Sequence, residues 1–357
     1  MTIAASWFSN APQISTLLEM FYFLHVSKSA GSSFISLARN NLSLYSPNAN
    51  GNPINLITGE RLKFWKWSEA EQQHFLSSPH WQLVANENQM GREAYFFENV
   101  VYITIVREPL DRLFSAWQFA IEKPAKDEPL DERGRKFARF LRRDGGLEWR
   151  RNYLLSTVMY QDRDHPRERL ELAKERLAQF DHVLLMENLG NDVRALARNG
   201  WTDLDLPWRN TAAPGEADWS AARAALKAYP DVLEKVTEAN EHDIELYKFA
   251  RELVERRKSE PPRLERIPGK QRRIPHSKNF EFIVTCAYEA HLQGDEAGRA
   301  KLLDRAAALP EASEIASQRR NFLEFALRRF DAPKRAEKEH RRKAREKKAQ
   351  ARAAGIL

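Results

Sequence analysis

The chain has 357 residues, 42% of them apolar, with 57 Lys and Arg against 50 Asp and Glu and a single cysteine. That length suits one large domain with a smaller appendage. The single cysteine excludes an intrachain disulfide framework, and no apolar run is long enough for a membrane-spanning helix. The formal net charge of +7 favours anionic partners: a nucleotide, a polyanion or an acidic surface.

Residues 1–19 read as a lead-in or short helix, without the basic region and cleavage site of a signal peptide. Residues 21–26 form an apolar run that reads as a strand. The polar loop Ser27-Lys28-Ser29-Ala30-Gly31-Ser32-Ser33 follows, and residues 34–39 suit a helix. Strand, small-residue loop and helix is an arrangement that holds phosphate or sulfate. Glycine lets the backbone approach, amides at the helix start point at the anion, and lysine adds a mobile charge. The lysine precedes the glycine, so this is not a Walker loop.

Residues 41–60 carry Asn, Pro, Gly and Ser and read as a long surface loop. Phe64, Trp65 and Trp67 stand among Arg61, Lys63 and Lys66. We read them as the core edge of a helix in preference to a sugar platform. Residues 81–84 read as a short strand, and the β-branched run 100–106 as a buried parallel strand. Arg107-Glu108-Pro109 ends that run, with Pro109 suited to the first turn of a helix. Leu110, Leu113, Phe114, Trp117 and Ile121 share a helical face, predicted to be core. Arg107 then stands at the carboxyl tip of a strand and Ser115 about two turns into the helix. Ligands of open α/β sheets bind beyond that tip, where an arginine fork grips phosphate well.

Residues 122–152 are expected to be a charged helical insert beside an acceptor cleft, broken at Asp144-Gly145-Gly146. Helix is expected over 167–179, strand over 183–186, helix over 192–198, and a loop at Trp208-Arg209-Asn210. Residues 219–257 read as helix interrupted at Tyr229-Pro230. Prolines at 261, 262 and 268 mark a linker, and residues 280–293, 295–309 and 312–330 read as three helices with a tetratricopeptide-like pattern. One such unit cannot bury its own faces, so it must pack on the main domain or a partner. Cys286 reads as a buried structural thiol. Residues 334–352 read as a solvated charged arm, with contact to polyanions as its other use. The expected division is 1–258 main domain, 259–279 linker, 280–332 helical appendage and 333–357 basic tail.

Leu24-His25-Val26-Ser27-Lys28-Ser29-Ala30-Gly31-Ser32-Ser33 resembles the 5′-phosphosulfate loop of the carbohydrate sulfotransferases, H-x-P-K-T-G-G-T-S. Ile105-Val106-Arg107-Glu108-Pro109-Leu110-Asp111-Arg112-Leu113-Phe114-Ser115-Ala116-Trp117 resembles their 3′-phosphate segment, I-V-R-D-P-x-x-R-x-x-S-x-Y. Weaker likenesses follow at Asn152-Tyr153-Leu154, at residues 180–189 (F-D-x-V-x-x-x-E) and at residues 240–247 (N-x-x-D-x-x-L-Y). The resemblance covers roughly residues 20–255 and suggests a bacterial-like member of the heparan/chondroitin type.

It implies an α/β fold, a P-loop-like parallel sheet flanked by helices with a C-terminal all-helical appendage. It also implies 3′-phosphoadenosine-5′-phosphosulfate (PAPS) as donor and a carbohydrate or similar hydroxyl as acceptor. Lys28 would lie against the bridging and sulfate oxygens, with Ser29, Ala30, Gly31, Ser32 and Ser33 around the 5′-phosphate. Arg107 and Ser115 would hold the 3′-phosphate, assisted by Arg112. Residues 83–91 line up with V-V-x-G-H-F-x-x-G, which puts Glu87 in the position of the catalytic base. His80 competes, because it titrates in a useful range. No metal, specific nucleic acid or transmembrane segment is expected, and a cytoplasmic location is. Ser27, Ser29 and Ala30 depart from the family pattern, and Ala30 is tolerable only if its position does not need positive φ. The alternatives are a P-loop-type kinase or nucleotide hydrolase, disfavoured by the lysine order, and a noncatalytic nucleotide-binding scaffold.

Overall fold

A computed structural model describes residues 20–331 except 43–47, 50–51, 88, 92, 124, 126–127, 160–165, 207–220, 261–263, 269–273 and 319–321. The lead-in, the Trp208-Arg209-Asn210 loop and the basic tail lie outside the described residues.

Four parallel strands form the central sheet: β1 (Met20–Leu24), β4 (Leu83–Asn86), β5 (Val100–Val106) and β6 (His182–Leu185), in the order β4-β1-β5-β6. Their apolar runs are covered on both faces, as parallel strands require. Alternation along each strand sends side chains to two separate cores. Phe21, Phe23, Leu83, Ala85, Ile103 and Ile105 pack with Phe34 and Leu37 of α1 (Gly31–Asn41). Tyr22, Leu24, Val84 and Tyr102 face the larger core. That core holds residues of α5 (Tyr153–Val158), α6 (Pro166–Ala178) and α10 (Glu241–Arg256). It also holds Phe282, Ile283, Cys286, Leu302 and Phe330 of the C-terminal helices α11 (Phe280–Gln293), α12 (Glu296–Ala307) and α14 (Phe322–Phe330). A third cluster joins α3 (Pro109–Ala120) to α4 (Leu130–Leu141), α8 (Ala221–Ala225) and α9 (Pro230–Ala239).

Several expectations change. Residues 52–57 do not form a surface loop. Asn52, Pro53, Asn55, Leu56 and Ile57 are buried, and β3 (Asn52–Pro53) pairs with β2 (Asn48–Ala49). The polar composition is spent internally: Asn55 Oδ1 accepts the Ile57 amide at 2.9 Å, an Asx turn of the kind such residues favour. Ile121 leaves the core face and is 48% exposed, because α3 ends one residue earlier. The helix over 219–257 breaks a second time at Asn240. This buried residue donates from its side chain to the Val236 carbonyl at 2.9 Å. Within the third predicted C-terminal helix, the described residues form α13 (Pro310–Gln318) and α14.

The C-terminal helices are tied to the sheet side by the short segment carrying α2 (Glu69–Leu76). The Trp67 and Phe282 rings sit 5.5 Å apart edge to face, and His74 Nε2 meets Glu289 Oε2 at 3.2 Å in a buried pair. No helix among the described residues is long and apolar enough to cross a membrane.

Candidate functional site

The parallel register brings the ends of β1, β4 and β5 to one edge, and the chain leaves each of them through a residue of interest. Leu24 pairs with Asn86 and with Thr104. The end of β1 is pinned twice: the His25 amide donates to the Asn86 carbonyl at 2.8 Å, and Thr104 Oγ1 donates to the Leu24 carbonyl at 2.9 Å. The chain then turns sharply. Lys28 and Ala30 both adopt left-handed backbone, at φ 69° and 57°. Ala30 therefore occupies the very conformation the family's glycine would supply, at a cost of about 1–2 kcal/mol. Gly31 opens α1 directly over His25, whose imidazole fills the space a Cβ would need. The first carbonyl used within α1 is that of Ala30, which accepts the amides of Ser33 and Phe34 at 3.0 Å each. The amides of Gly31 and Ser32 are thus left as the orphan donors of the helix start. Ser29 is fully buried with no partner for its Oγ.

Arg107 leaves the tip of β5 and returns to this loop. Its Nη1 donates to the Lys28 carbonyl at 3.2 Å. The two separated segments of the sequence therefore meet at one place. Neither neighbouring carboxylate pairs with Arg107. Glu108 caps α3 by accepting the Asp111 amide at 2.8 Å, and Asp111 accepts the Ala222 amide at 2.7 Å. Burial, with Glu108 and Glu187 nearby, raises the Asp111 carboxyl to about 7. Ser115 is half-buried on α3. One turn further on, Phe119 lies 66% exposed with Lys28 Nζ 4.1 Å above its ring. Burial and the charges of Arg107 and Arg150 depress the Lys28 pKa, against the pull of Glu87.

Arg112 is 1% exposed. Its Nη2 donates to the Arg150 carbonyl at 3.2 Å and its guanidinium lies 4.5 Å from the Tyr153 ring centroid, while Nε and Nη1 have no partner. Burial pulls it down to about 10, opposed by Asp243, so it stays charged at neutral pH.

The weaker sequence likenesses turn out to build this surround. Asn152 donates its amide to Asn240 Oδ1 at 3.1 Å and accepts the Asp243 amide at 3.2 Å. The buried Asp243 carboxylate accepts the amides of Leu154 and Leu155 at 2.8 Å each, which caps α5 and faces Arg112. Asp181 accepts the Tyr102 amide at 2.7 Å, and Glu187 accepts the Glu108 amide at 2.8 Å. These residues hold strand β5 and the 107–109 turn in place.

Glu87 follows β4 at the same edge. Its carboxylate pairs with Arg61 at 3.1 Å, and its amide donates to Asn52 Oδ1 at 2.7 Å. It lies close enough to His25 and Lys28 to act on the charge of both. His25 is mainly a buried packing group, stacked on Phe23 at 5.5 Å, with its pKa lowered by burial. His80 is not brought here. It precedes the amino end of β4, and Leu83 to Asn86 alone separates the two edges by about 10 Å. His80 instead sits beside Trp81, its amide donating to Ser78 Oγ at 3.3 Å. Sequence reasoning missed Arg150, Phe119 and Asn52. Of these, only Phe119 carried a signal, four residues beyond Ser115 and hence on its face. Among the described residues no cluster of His, Cys, Asp or Glu could hold a metal ion.

The model of the Sulfotransferase family matches residues 19–250, more than half of the chain, and the chain belongs to that family. The match spans both the 27–33 loop and the 107–115 segment. No curated protein matches the chain.

Proposed function

We propose that this sulfotransferase uses PAPS as donor and sulfates a hydroxyl of a carbohydrate or glycan-like acceptor, as a bacterial-like, cytoplasmic member of the heparan/chondroitin type on a P-loop-like fold. The observation that carries the reading is the meeting of Lys28 and Arg107 through a 3.2 Å hydrogen bond. It supports one pocket for a nucleotide phosphorylated at two positions. The buried, unpartnered Ser29 Oγ and Arg112 nitrogens fit such a group, because orphaned polar atoms of this kind are costly unless a ligand satisfies them.

Bound there, the donor supplies a sulfuryl group that passes to the acceptor oxygen as its bond to the 5′-phosphate oxygen breaks. Lys28 steadies the charge gathering on that leaving oxygen, much as cations do in phosphoryl transfer. The Gly31 and Ser32 amides, with Ser29 and Ser33, hold the 5′-phosphate. Arg107 and Ser115 take the 3′-phosphate, with Arg112 behind them. Glu87 accepts the acceptor's proton. To do so its carboxylate must turn from Arg61 toward the hydroxyl, a rotation about its own side chain. His80, at the other edge of the sheet, takes no part in this scheme. The 280–332 helices are the appendage and the 333–357 tail is the site of any polyanion contact.

Turnover of labelled donor across an acceptor panel tests the reading. Lys28→Ala should abolish turnover, and Glu87→Gln should abolish it while sparing binding of adenosine 3′,5′-bisphosphate. Normal turnover in Glu87→Gln with a dead His80→Ala would overturn the base assignment. Preference for ATP over the bisphosphate would instead favour the kinase alternative.

A further inference from the structure

One cation beside this pocket has no role in that scheme. Arg150 lies in the turn before α5, at φ 54°. Left-handed backbone at a non-glycine residue costs about 1–2 kcal/mol, and such strain concentrates at functional sites. Glycine would adopt the turn freely and would still offer the carbonyl that Arg112 grips at 3.2 Å. Only the side chain of Arg150 distinguishes it from that easier choice.

The side chain is placed for an anion. Its guanidinium rests 5.3 Å from the rings of both Trp149 and Tyr153. Arg112 lies over the same Tyr153 ring at 4.5 Å, so two guanidinium groups share one aromatic ring. No carboxylate stands within ion-pair distance of Arg107, Arg112 or Arg150 among the described residues, and Arg112 keeps two buried nitrogens unpaired. Lys28 and Arg112 each feel the charges of Arg107 and Arg150, countered by Glu87 and Asp243 respectively, so four cations face two carboxylates and a bound anion would relieve the remaining repulsion. Arg150 is near enough to Lys28 and to Arg112 to lower the pKa of each.

We propose that Arg150 is a further donor-binding residue, gripping a phosphate of the nucleotide together with Lys28, Arg107 and Arg112. The proposal rests on the donor reading above. It adds a cation from a third segment of the chain, so the pocket closes only when the turn before α5 is in place.

Calorimetry with adenosine 3′,5′-bisphosphate tests it on the full chain, using wild type, Arg107→Ala, Arg150→Gly and Arg150→Gln. Arg150→Gly should bind at least tenfold more weakly while its thermal midpoint equals or exceeds that of wild type. Arg150→Gln keeps the left-handed strain but removes the guanidinium, and should lose affinity to a similar degree with little change in midpoint. Repeating the titrations with adenosine 5′-monophosphate and adenosine 3′-monophosphate identifies the phosphate, since the deficit persists only with the ester that Arg150 contacts. Binding within twofold of wild type in both Arg150 variants, beside a large loss in Arg107→Ala, would overturn the assignment and leave the donor reading standing. Absence of binding by wild type would overturn both.

Discussion

Replacing Gly31 by alanine puts the turn between β1 and α1 under direct load. The added methyl would overlap the His25 ring, coming within 2.5 Å of its Cε1 and nearer still to Nε2. The ring has little room to retreat: it is 8% exposed and stacked on Phe23, which in turn lies 4.4 Å from Phe34. Overpacking of this kind costs about 1–3 kcal/mol. Alanine's better helix propensity returns about 0.5–1 kcal/mol, so a net loss of about 1–2 kcal/mol is expected in urea unfolding. The same substitution placed in a His25→Ala background should cost nothing or stabilise, because the ring it strikes is gone. The coupling between the two sites should then exceed about 1 kcal/mol, as for residues in contact. Equal costs in the two backgrounds would refute the packing argument and with it the account of why a glycine stands at the helix start.

Ala30→Gly should stabilise the fold by a few tenths to about 1 kcal/mol, since relief of left-handed strain outweighs the greater freedom of glycine in the unfolded chain. A lower urea midpoint would contradict the backbone geometry at residue 30. The pH dependence of nucleotide binding has a definite sign. Lys28 holds its proton less tightly than an ordinary lysine, so affinity should fall as pH rises through a window beginning below the usual value of about 10.4. A bound anion favours the ammonium, and titration in that window should take up protons. Lys28→Arg should flatten the slope, and an unchanged slope in that variant would show that another group titrates.

Dense β-branched runs announced themselves. Residues 100–106 became strand β5 without adjustment, and the apolar spacing over 280–293 became α11 with the same ends. The break at Asn240 did not, because nothing in its local composition shows that its side chain bonds to Val236 and to the amide of Asn152, far away in sequence. The two loops of the site were legible from spacing alone, but their surround was not. Asp243 capping α5 and Glu187 holding Glu108 are contacts across long stretches of chain. Glu87 and His80 lie seven residues apart in sequence, and only strand register tells which edge of the sheet each one meets. Arg150 left no trace in composition, because its backbone conformation is set by tertiary contacts.

The shared core under the sheet separates two things usually treated as one. The stretch that resembles other sulfotransferases ends at residue 250, yet Tyr22 and Trp81 belong to one apolar cluster with Phe282, Cys286 and Phe330. A protein cut where the likeness stops would keep the residues of the candidate site and lose the share of that core which Phe282, Cys286 and Phe330 supply beside α5, α6 and α10. For this chain, the stretch that marks the family is shorter than the stretch that shares its core.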